Sequence, residues 1–205
     1  EIIGHEAESF ANEVKGLEIP MHEPRGKKAV GLMYATAARG AVHSDGFHDT
    51  GFQRPNVLPE LGLIKAMNRN ELHGKPRLMI KAQDAVAVQN SLMICSFTGN
   101  LVFRPATVAD YITWIGAVTG LEYDITQLIL VGERINNLTR AFNIREGMSR
   151  KDDYLPLRFS RNMLAGASSD QKITNRDLEE MLDEYYQLRG WDQKTGIPTA
   201  DKLAN

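Results

Sequence analysis

One long stretch, residues 124–153, constrains the fold of this chain more than any other feature. Its large apolar residues recur at alternating steps of three and four, the spacing that places side chains on one face of an α-helix. These residues are Leu128, Val131, Ile135, Leu138 and Phe142. Asp124 is placed to cap the first turn, with Gln127 as its partner in a capping box. The pattern predicts a central helix near 125–143 whose apolar face is buried.

The opposite side of this helix is polar. It presents Glu133, Asn136, Asn137 and Arg140. Amide and guanidinium groups each offer several hydrogen-bonding atoms, which suits them to contact with polar partners in the protein. We therefore expect a second, polar interface on this side of the helix rather than contact with solvent alone.

Apolar periodicity and end signals predict further helices along the chain. They cover about residues 7–14, 24–39, 76–92, 107–120 and 174–190. In the last of these, Leu188 is expected to point inward, and Trp191 is expected to pack just beyond the Gly190 cap. No segment alternates apolar and polar residues as a strand does. The sequence therefore predicts an all-α fold, a multihelical domain that spans residues 1–205.

Length and charge exclude several classes of partner. The chain has 205 residues, of which 42% are hydrophobic, and this is enough for a substantial core. A net charge of −2 and a pI near 6.3 give no basic surface for nucleic acid or an anionic membrane. No apolar run approaches the roughly 20 residues that a membrane span needs, and the first residues do not resemble a signal peptide. We expect a cytoplasmic protein.

The sequence contains a single cysteine, Cys95. One cysteine excludes an internal disulfide and a metal site built from several cysteines of this chain. On the residues alone, a buried and unreactive thiol is the simplest interpretation of Cys95.

Residues 39–49 concentrate polar side chains between glycines. His43, Asp45, His48 and Asp49 lie within seven residues. Such a set could bind a divalent metal ion, although nothing in the spacing fixes the geometry of the ligands. The glycines favour the alternative, a solvated polar loop.

Two long stretches carry a specific resemblance. Residues 132–153 read GERINNLTRAFNIREGMSRKDD and are followed by Leu155-Pro156 and Arg158-Phe159, while residues 182–203 read LDEYYQLRGWDQKTGIPTADKL. Both stretches, in this order, resemble the carboxy-terminal region of the tungsten-containing aldehyde:ferredoxin oxidoreductase family. The resemblance covers nearly all of this chain but only the final part of a full-length family member.

The resemblance implies an oxidoreductase that converts aldehydes to carboxylic acids and passes the electrons to ferredoxin. It implies a tungsten (or molybdenum) bis-pterin and a 4Fe-4S cluster, both shared with the pterin-binding and middle domains that precede this region and are absent from the chain. The expected partners are those domains, ferredoxin and a small aldehyde, and assembly into a homo-oligomer is left open. The family's catalytic glutamate lies upstream, so we expect the isolated chain to be inactive.

Residues 35–43, ATAARGAVH, resemble the segment in which an arginine and a histidine approach the cofactor. The resemblance implies that Arg39 contacts the anionic pterin and that His43 lies beside the substrate and assists proton transfer. Ala38 stands where the family has asparagine.

Residues 90–95 match a family hexad in which an aspartate binds the pterin ring and a cysteine is the fourth ligand of the iron–sulfur cluster. Here the cysteine is Cys95, and Ile94 fills the apolar position beside the cofactor. Asn90 replaces the aspartate and offers an uncharged acceptor. Met93 replaces a glycine, which raises the question of how closely the backbone approaches the cofactor.

These two departures support an alternative function. The chain would then be a helical binding or assembly module that has kept the fold and lost the cofactors. Relatives of the same architecture that act on phosphorylated aldehydes, or that reduce an aromatic acyl-coenzyme A, leave the substrate open.

Overall fold

The computed structural model describes residues 10–103 and 105–204, and in them the predicted all-α fold is confirmed. The helices are α1 Lys28–Thr36, α2 Lys75–Ser91, α3 Val108–Thr119, α4 Ile125–Arg145, α5 Asn175–Arg189 and the single turn α6 Ala200–Leu203. Short 3-10 helices lie at Pro24–Gly26, Asp49–Phe52, Pro59–Leu61, Arg150–Asp152 and Leu157–Ser160. None of the described helices is long and apolar enough to cross a membrane.

Helices α3, α4 and α5 each begin at a capping box, as local sequence signals predict. In the box of α4, the Asp124 carboxylate accepts a hydrogen bond from the Gln127 amide at 2.7 Å, and the Gln127 side chain accepts one from the Asp124 backbone. Thr107 begins α3 and Thr174 begins α5 in the same reciprocal way. Each box satisfies backbone donors that the first helical turn leaves without partners.

The helix predicted for residues 7–14 is wrong where the structure describes it. Residues 7–9 lie outside the described residues, and the chain then forms a hairpin of two short strands, β1 Glu13–Val14 and β2 Leu17–Glu18. Lys15 and Gly16 both have positive φ, which closes a two-residue hairpin turn and ends any helix. The Lys15 ammonium pairs with the buried Asp153 at 2.8 Å and fixes this turn on the domain.

Helix α2 packs against α1, α4 and α5, and its closest approach is to α4. The two backbones meet at Gly132, where an added Cβ atom would lie 2.0 Å from the carbonyl oxygen of Asp84. Only glycine permits this approach, because any side chain at position 132 would overlap the backbone of α2. The contact places the end of α2, which carries the predicted cofactor residues, beside the middle of α4.

The orientation predicted for α4 is wrong over the second half of the helix. Leu138 and Phe142 are 72% and 53% exposed, whereas Leu128 at the start of the stripe is buried. The residues that α4 buries beyond Leu128 are Gly132, Asn137 and Arg140. The close approach at Gly132 turns the polar side of α4 toward α2, and the apolar stripe is therefore left facing outward.

The predicted polar interface of α4 is confirmed, and it joins four parts of the chain. Asn136 donates to Asp84 of α2 at 2.8 Å, and the same carboxylate forms an ion pair with the buried Arg189 of α5. Asn137 accepts a hydrogen bond from the Trp191 indole at 2.8 Å. Arg140 pairs with Asp153 at 2.9 Å, and Glu133 pairs with Lys202 of α6.

The end of α5 is partly as predicted. Trp191 is buried just beyond the cap at Gly190, which has a φ of +71°. Leu188, expected to point inward, is instead 41% exposed. The buried position at the end of α5 belongs to Arg189, because its guanidinium reaches Asp84 and Gln83 of α2.

We expect Gly132→Ala to lower the free energy of unfolding by about 1–3 kcal/mol, because the new methyl group forces α2 and α4 apart. Gly116→Ala in α3 is the matched control, since a Cβ atom there meets only the Leu121 carbonyl oxygen at 3.7 Å, an ordinary contact. That variant should gain about 0.5–1 kcal/mol, the usual benefit of alanine over glycine inside a helix. Urea unfolding of both variants measures the difference, and equal effects would contradict the packing at Gly132.

Candidate functional site

The turn that follows α1 carries Arg39. Its guanidinium is largely exposed and pairs with Asp45 at 3.0 Å. The backbone of the turn is fixed from two sides, since Asn143 of α4 donates to the Ala38 carbonyl at 2.7 Å and Lys15 donates to the Ala37 carbonyl at 3.2 Å. A fixed backbone with an exposed cation presents the guanidinium to an anionic ligand.

Asn90 lies in the last turn of α2 and is exposed. Asn90 and Arg39 line the same cleft, which has a volume of about 830 Å³ and lies between the end of α1, the end of α2 and the middle of α4. Exposed Phe142 and half-buried Ile135 form its wall on α4. The structure therefore brings together the two side chains expected to contact the pterin, although they are separated by 50 residues in the sequence.

The residues after Asn90 leave the helix at Met93, which has a φ of +54°. This left-handed conformation suits glycine and costs other residues about 1 kcal/mol. The side chain of Met93 is 91% exposed. The backbone at Met93 therefore still has the conformation that glycine favours, and it directs the following residues away from α2.

Two residues that the sequence did not single out hold the loop after Met93. Gln89 accepts at its carbonyl from the Ile94 amide at 3.2 Å, and its side chain donates to the Ser96 hydroxyl at 3.3 Å. The buried Tyr111 of α3 donates to the Gln89 side chain at 3.2 Å. The sequence signal that could have indicated this role is a glutamine at a buried position of α2, because a buried amide needs several hydrogen-bond partners.

Cys95 is exposed at the centre of this loop. The interpretation of a buried, unreactive thiol is therefore wrong. Hydrogen bonds from the backbone of Phe97 and Thr98 lower the pKa of the thiol, with a smaller contribution from the Thr98 hydroxyl, while burial opposes them. The loop thus favours the thiolate, which is the form that binds metal.

We expect Met93→Gly to raise the free energy of unfolding by up to about 1 kcal/mol, since glycine has no steric penalty at this φ and no buried contact is lost. Met21→Gly is the matched control, because Met21 is also fully exposed and has no positive φ. Glycine at position 21 should be neutral or destabilising. Thermal unfolding measures both variants. If Met93→Gly destabilises the protein as much as Met21→Gly does, the backbone at Met93 is not strained.

His43 is exposed on the loop after Arg39, and it belongs to a cluster of three histidines. The ring centroids of His22 and His43 are 4.7 Å apart, and those of His22 and His48 are 4.6 Å apart. His48 Nε2 lies 3.1 Å from the His43 carbonyl oxygen. His22, which the sequence did not indicate, comes from the segment before α1.

The divalent metal site considered for residues 43–49 does not form in the described part of the chain, where no three His, Cys, Asp or Glu side chains are arranged to hold a metal ion. Both carboxylates have other partners. Asp45 pairs with Arg39, and the fully buried Asp49 pairs with Lys75 at 3.1 Å and accepts from the Ala29 amide. Asp49 is therefore a structural anchor of the loop.

The predicted site residues lie at four places in the structure. Arg39 and Asn90 line the 830 Å³ cleft. Ile94 lines a second, apolar groove of about 400 Å³ between α2, α3 and α4, and Ser91 lies on both cavities. Cys95 follows Ile94 in the exposed loop, and His43 lies in the histidine cluster rather than on the wall of the cleft.

Comparison with known sequences agrees with the resemblance. The sequence model of the family described as aldehyde ferredoxin oxidoreductase, domains 2 and 3, matches residues 1–205. The tungsten-containing aldehyde ferredoxin oxidoreductase of Thermococcus kodakarensis is 32% identical over 97% of this chain and 31% of its own length. That of Pyrococcus furiosus is 34% identical over 90% of this chain and 29% of its own length. The chain spans about a third of the length of these relatives.

A solved structure has the same fold. The active site complex BamBC of benzoyl coenzyme A reductase, in complex with 1,5-dienoyl-CoA, matches 99% of this chain and 34% of its own chain with a TM-score of 0.65. The sequences are 24% identical, so this likeness concerns the fold alone. The match of the family model over the whole chain, and the identity to the curated relatives, show that this chain belongs to the aldehyde ferredoxin oxidoreductase family.

Proposed function

We propose that this chain is the carboxy-terminal part of a tungsten (or molybdenum) bis-pterin iron–sulfur oxidoreductase that oxidises aldehydes to carboxylic acids, with ferredoxin as electron acceptor. The observation that carries the proposal is the loop of Cys95. The thiol is exposed, backbone donors lower its pKa, and Gln89 holds the loop that carries it, which are properties that an iron ligand needs. Residues 1–205 would act as a single helical domain of that enzyme.

The residues of the cleft fit a pterin, with one weakness. Arg39 supplies a cation and Asn90 supplies an acceptor and a donor to the lining of the same cavity. A neutral amide binds an amino-pyrimidine edge less strongly than a carboxylate, because charge-assisted hydrogen bonds are about twice as strong. The remaining ligands would come from the upstream part of a longer chain.

The reaction consumes one aldehyde and one water and yields one carboxylic acid, two protons and two electrons. The bound metal and cluster would supply the redox chemistry and pass the electrons to two one-electron acceptors. In this chain, His43 is the side chain proposed to accept a proton beside the substrate, since it is exposed and lies four residues from Arg39 on the same loop.

The outward-facing stripe of α4 supports the view that further domains of the same chain are the main partner. Leu138 and Phe142 are exposed on α4, and Trp114 and Val118 of α3 are also exposed, at 44% and 84%. Apolar surface of this kind is usually covered in the complete protein. The relatives are about three times as long as this chain, and further residues like those they carry are the proposed cover for this surface.

Two other functions remain as alternatives. The fold likeness to benzoyl coenzyme A reductase favours a subunit that reduces an aromatic acyl-coenzyme A. Asn90 and Met93 favour a helical module without cofactors. The loop that lowers the pKa of Cys95 opposes this alternative, because a module without cofactors does not need a metal-binding thiolate.

Assays of the full-length enzyme separate these functions. Aldehyde oxidation coupled to ferredoxin reduction supports the proposal, while reduction of an aromatic acyl-coenzyme A without aldehyde oxidation would select the reductase. The 205-residue chain alone should show neither activity, because one thiolate cannot hold a cluster that needs about four ligands.

A further inference from the structure

The histidine cluster is built around Lys27, a residue that neither the sequence pattern nor the proposed reaction assigns to the site. Its ammonium lies 3.4 Å from His22 Nδ1 and 3.2 Å from His48 Nδ1. Lys27 is the cap residue at the start of α1, so its backbone is fixed by the helix. The lysine therefore links the segment before α1 to the loop that carries His43.

The chemistry of lysine determines where the protons of these histidines lie. An ammonium group can only donate, so Nδ1 of His22 and Nδ1 of His48 must both accept. In each ring the proton is then on Nε2. His48 uses its Nε2–H to donate to the His43 carbonyl at 3.1 Å, which anchors the backbone of His43.

Burial and charge both oppose protonation of His22 and His48. The pKa of His48 is lowered to about 4, chiefly by burial; the Lys27 ammonium and the other two histidines act in the same direction, while the hydrogen bond to the His43 carbonyl opposes them. The pKa of His22 is lowered by burial, by Lys27 and by His43. Burial also lowers the pKa of Lys27, with Asp49 opposing and Arg69 adding to this shift.

We propose that Lys27 is a positioning residue that keeps His22 and His48 as neutral imidazoles and so leaves His43 as the member of the cluster that exchanges a proton. The role in catalysis depends on the function proposed above, whereas the protonation pattern does not. Among the described residues, no side chain is hydrogen-bonded to the ring of His43, and the ring is exposed. The ring of His43 therefore stays open to a substrate or to solvent.

The test is a histidine ¹⁵N NMR titration of the 205-residue chain from pH 4 to pH 8. In the unmodified chain, His48 should be neutral at pH 6, His22 should titrate below the usual histidine range, and the proton of each neutral ring should lie on Nε2. Lys27→Met should move the titration midpoints of both histidines to higher pH, because it removes a like charge and two donated hydrogen bonds. Lys27→Arg, which keeps the charge and the donors, should restore low midpoints, and His73, exposed and outside the cluster, should titrate identically in all three proteins.

A protonated His48 at pH 6 in the unmodified chain, a titration midpoint of His22 at or above the usual histidine value, or protons on Nδ1 would each overturn the proposal. These outcomes do so even if Lys27→Met does not fold. Unchanged midpoints in a folded Lys27→Met variant would overturn it as well. The spectra need no cofactor, so a full-length enzyme that fails to oxidise aldehydes would contradict the proposed function and leave this pattern intact.

Discussion

Replacing Cys95 with serine in the complete enzyme should remove or severely weaken the iron–sulfur cluster. The serine hydroxyl is a harder ligand and is not deprotonated near neutral pH, whereas the loop of Cys95 lowers the pKa of its thiol. Loss of a direct ligand should exceed the 10–100-fold cost of disturbing a group that only supports a ligand, so electron transfer to ferredoxin should fall by more than about 100-fold. Iron content and the electron paramagnetic resonance signal of the cluster measure the effect.

Two controls separate loss of the ligand from damage to the loop. Cys95 is exposed, so the serine variant should unfold at nearly the same temperature as the unmodified protein. Phe97→Leu keeps the backbone donor to the thiol and should retain the cluster. An unchanged cluster signal in Cys95→Ser would mean that Cys95 is not a ligand.

The second large effect is expected at His43. In the complete enzyme, His43→Ala should lower turnover by roughly 100-fold or more, the lower range for loss of a positioned acid or base. The stability of the fold should change much less, because the His43 ring is exposed. The backbone carbonyl of residue 43, which accepts the hydrogen bond from His48, remains in the variant. Turnover per folded molecule, measured with the melting temperature, distinguishes the two contributions.

The control for His43 must lie outside the histidine cluster. His48 shares its loop but is bonded to His43, so its replacement should also disturb the site. His73→Ala is the matched control, since His73 is exposed elsewhere on the surface and should have no effect on turnover. If His43→Ala instead costs about 1–2 kcal/mol of stability and leaves turnover per folded molecule intact, His43 serves only to hold the loop.

The helices could be predicted because their signals are local. Each of these capping residues has its partner three residues later, so the pair can be recognised in the sequence: Thr107, Asp124 and Thr174. The covered side of α4 could not be predicted in this way. It depends on the contact of Gly132 with a backbone 48 residues earlier, which turns an apolar stripe outward against the usual preference.

The candidate site shows the same limit. The resemblance identified Arg39 and Asn90, and the fold places both on one cleft. His22 meets His43, and Lys27 meets His48, only because the chain before α1 lies against their loop, and no spacing in the sequence indicates these contacts. Likewise, exposure of Cys95 depends on the hydrogen bonds that Gln89 and Tyr111 make beneath its loop.

Metal analysis of the full-length protein, produced without oxygen in medium that contains tungstate, tests the proposed function most directly. The expected result is tungsten or molybdenum in near-stoichiometric amount with about four iron atoms per protein, while the 205-residue chain prepared in the same way contains only traces of either. A folded full-length protein with trace amounts of iron, tungsten and molybdenum would contradict the proposal and leave a helical module without cofactors.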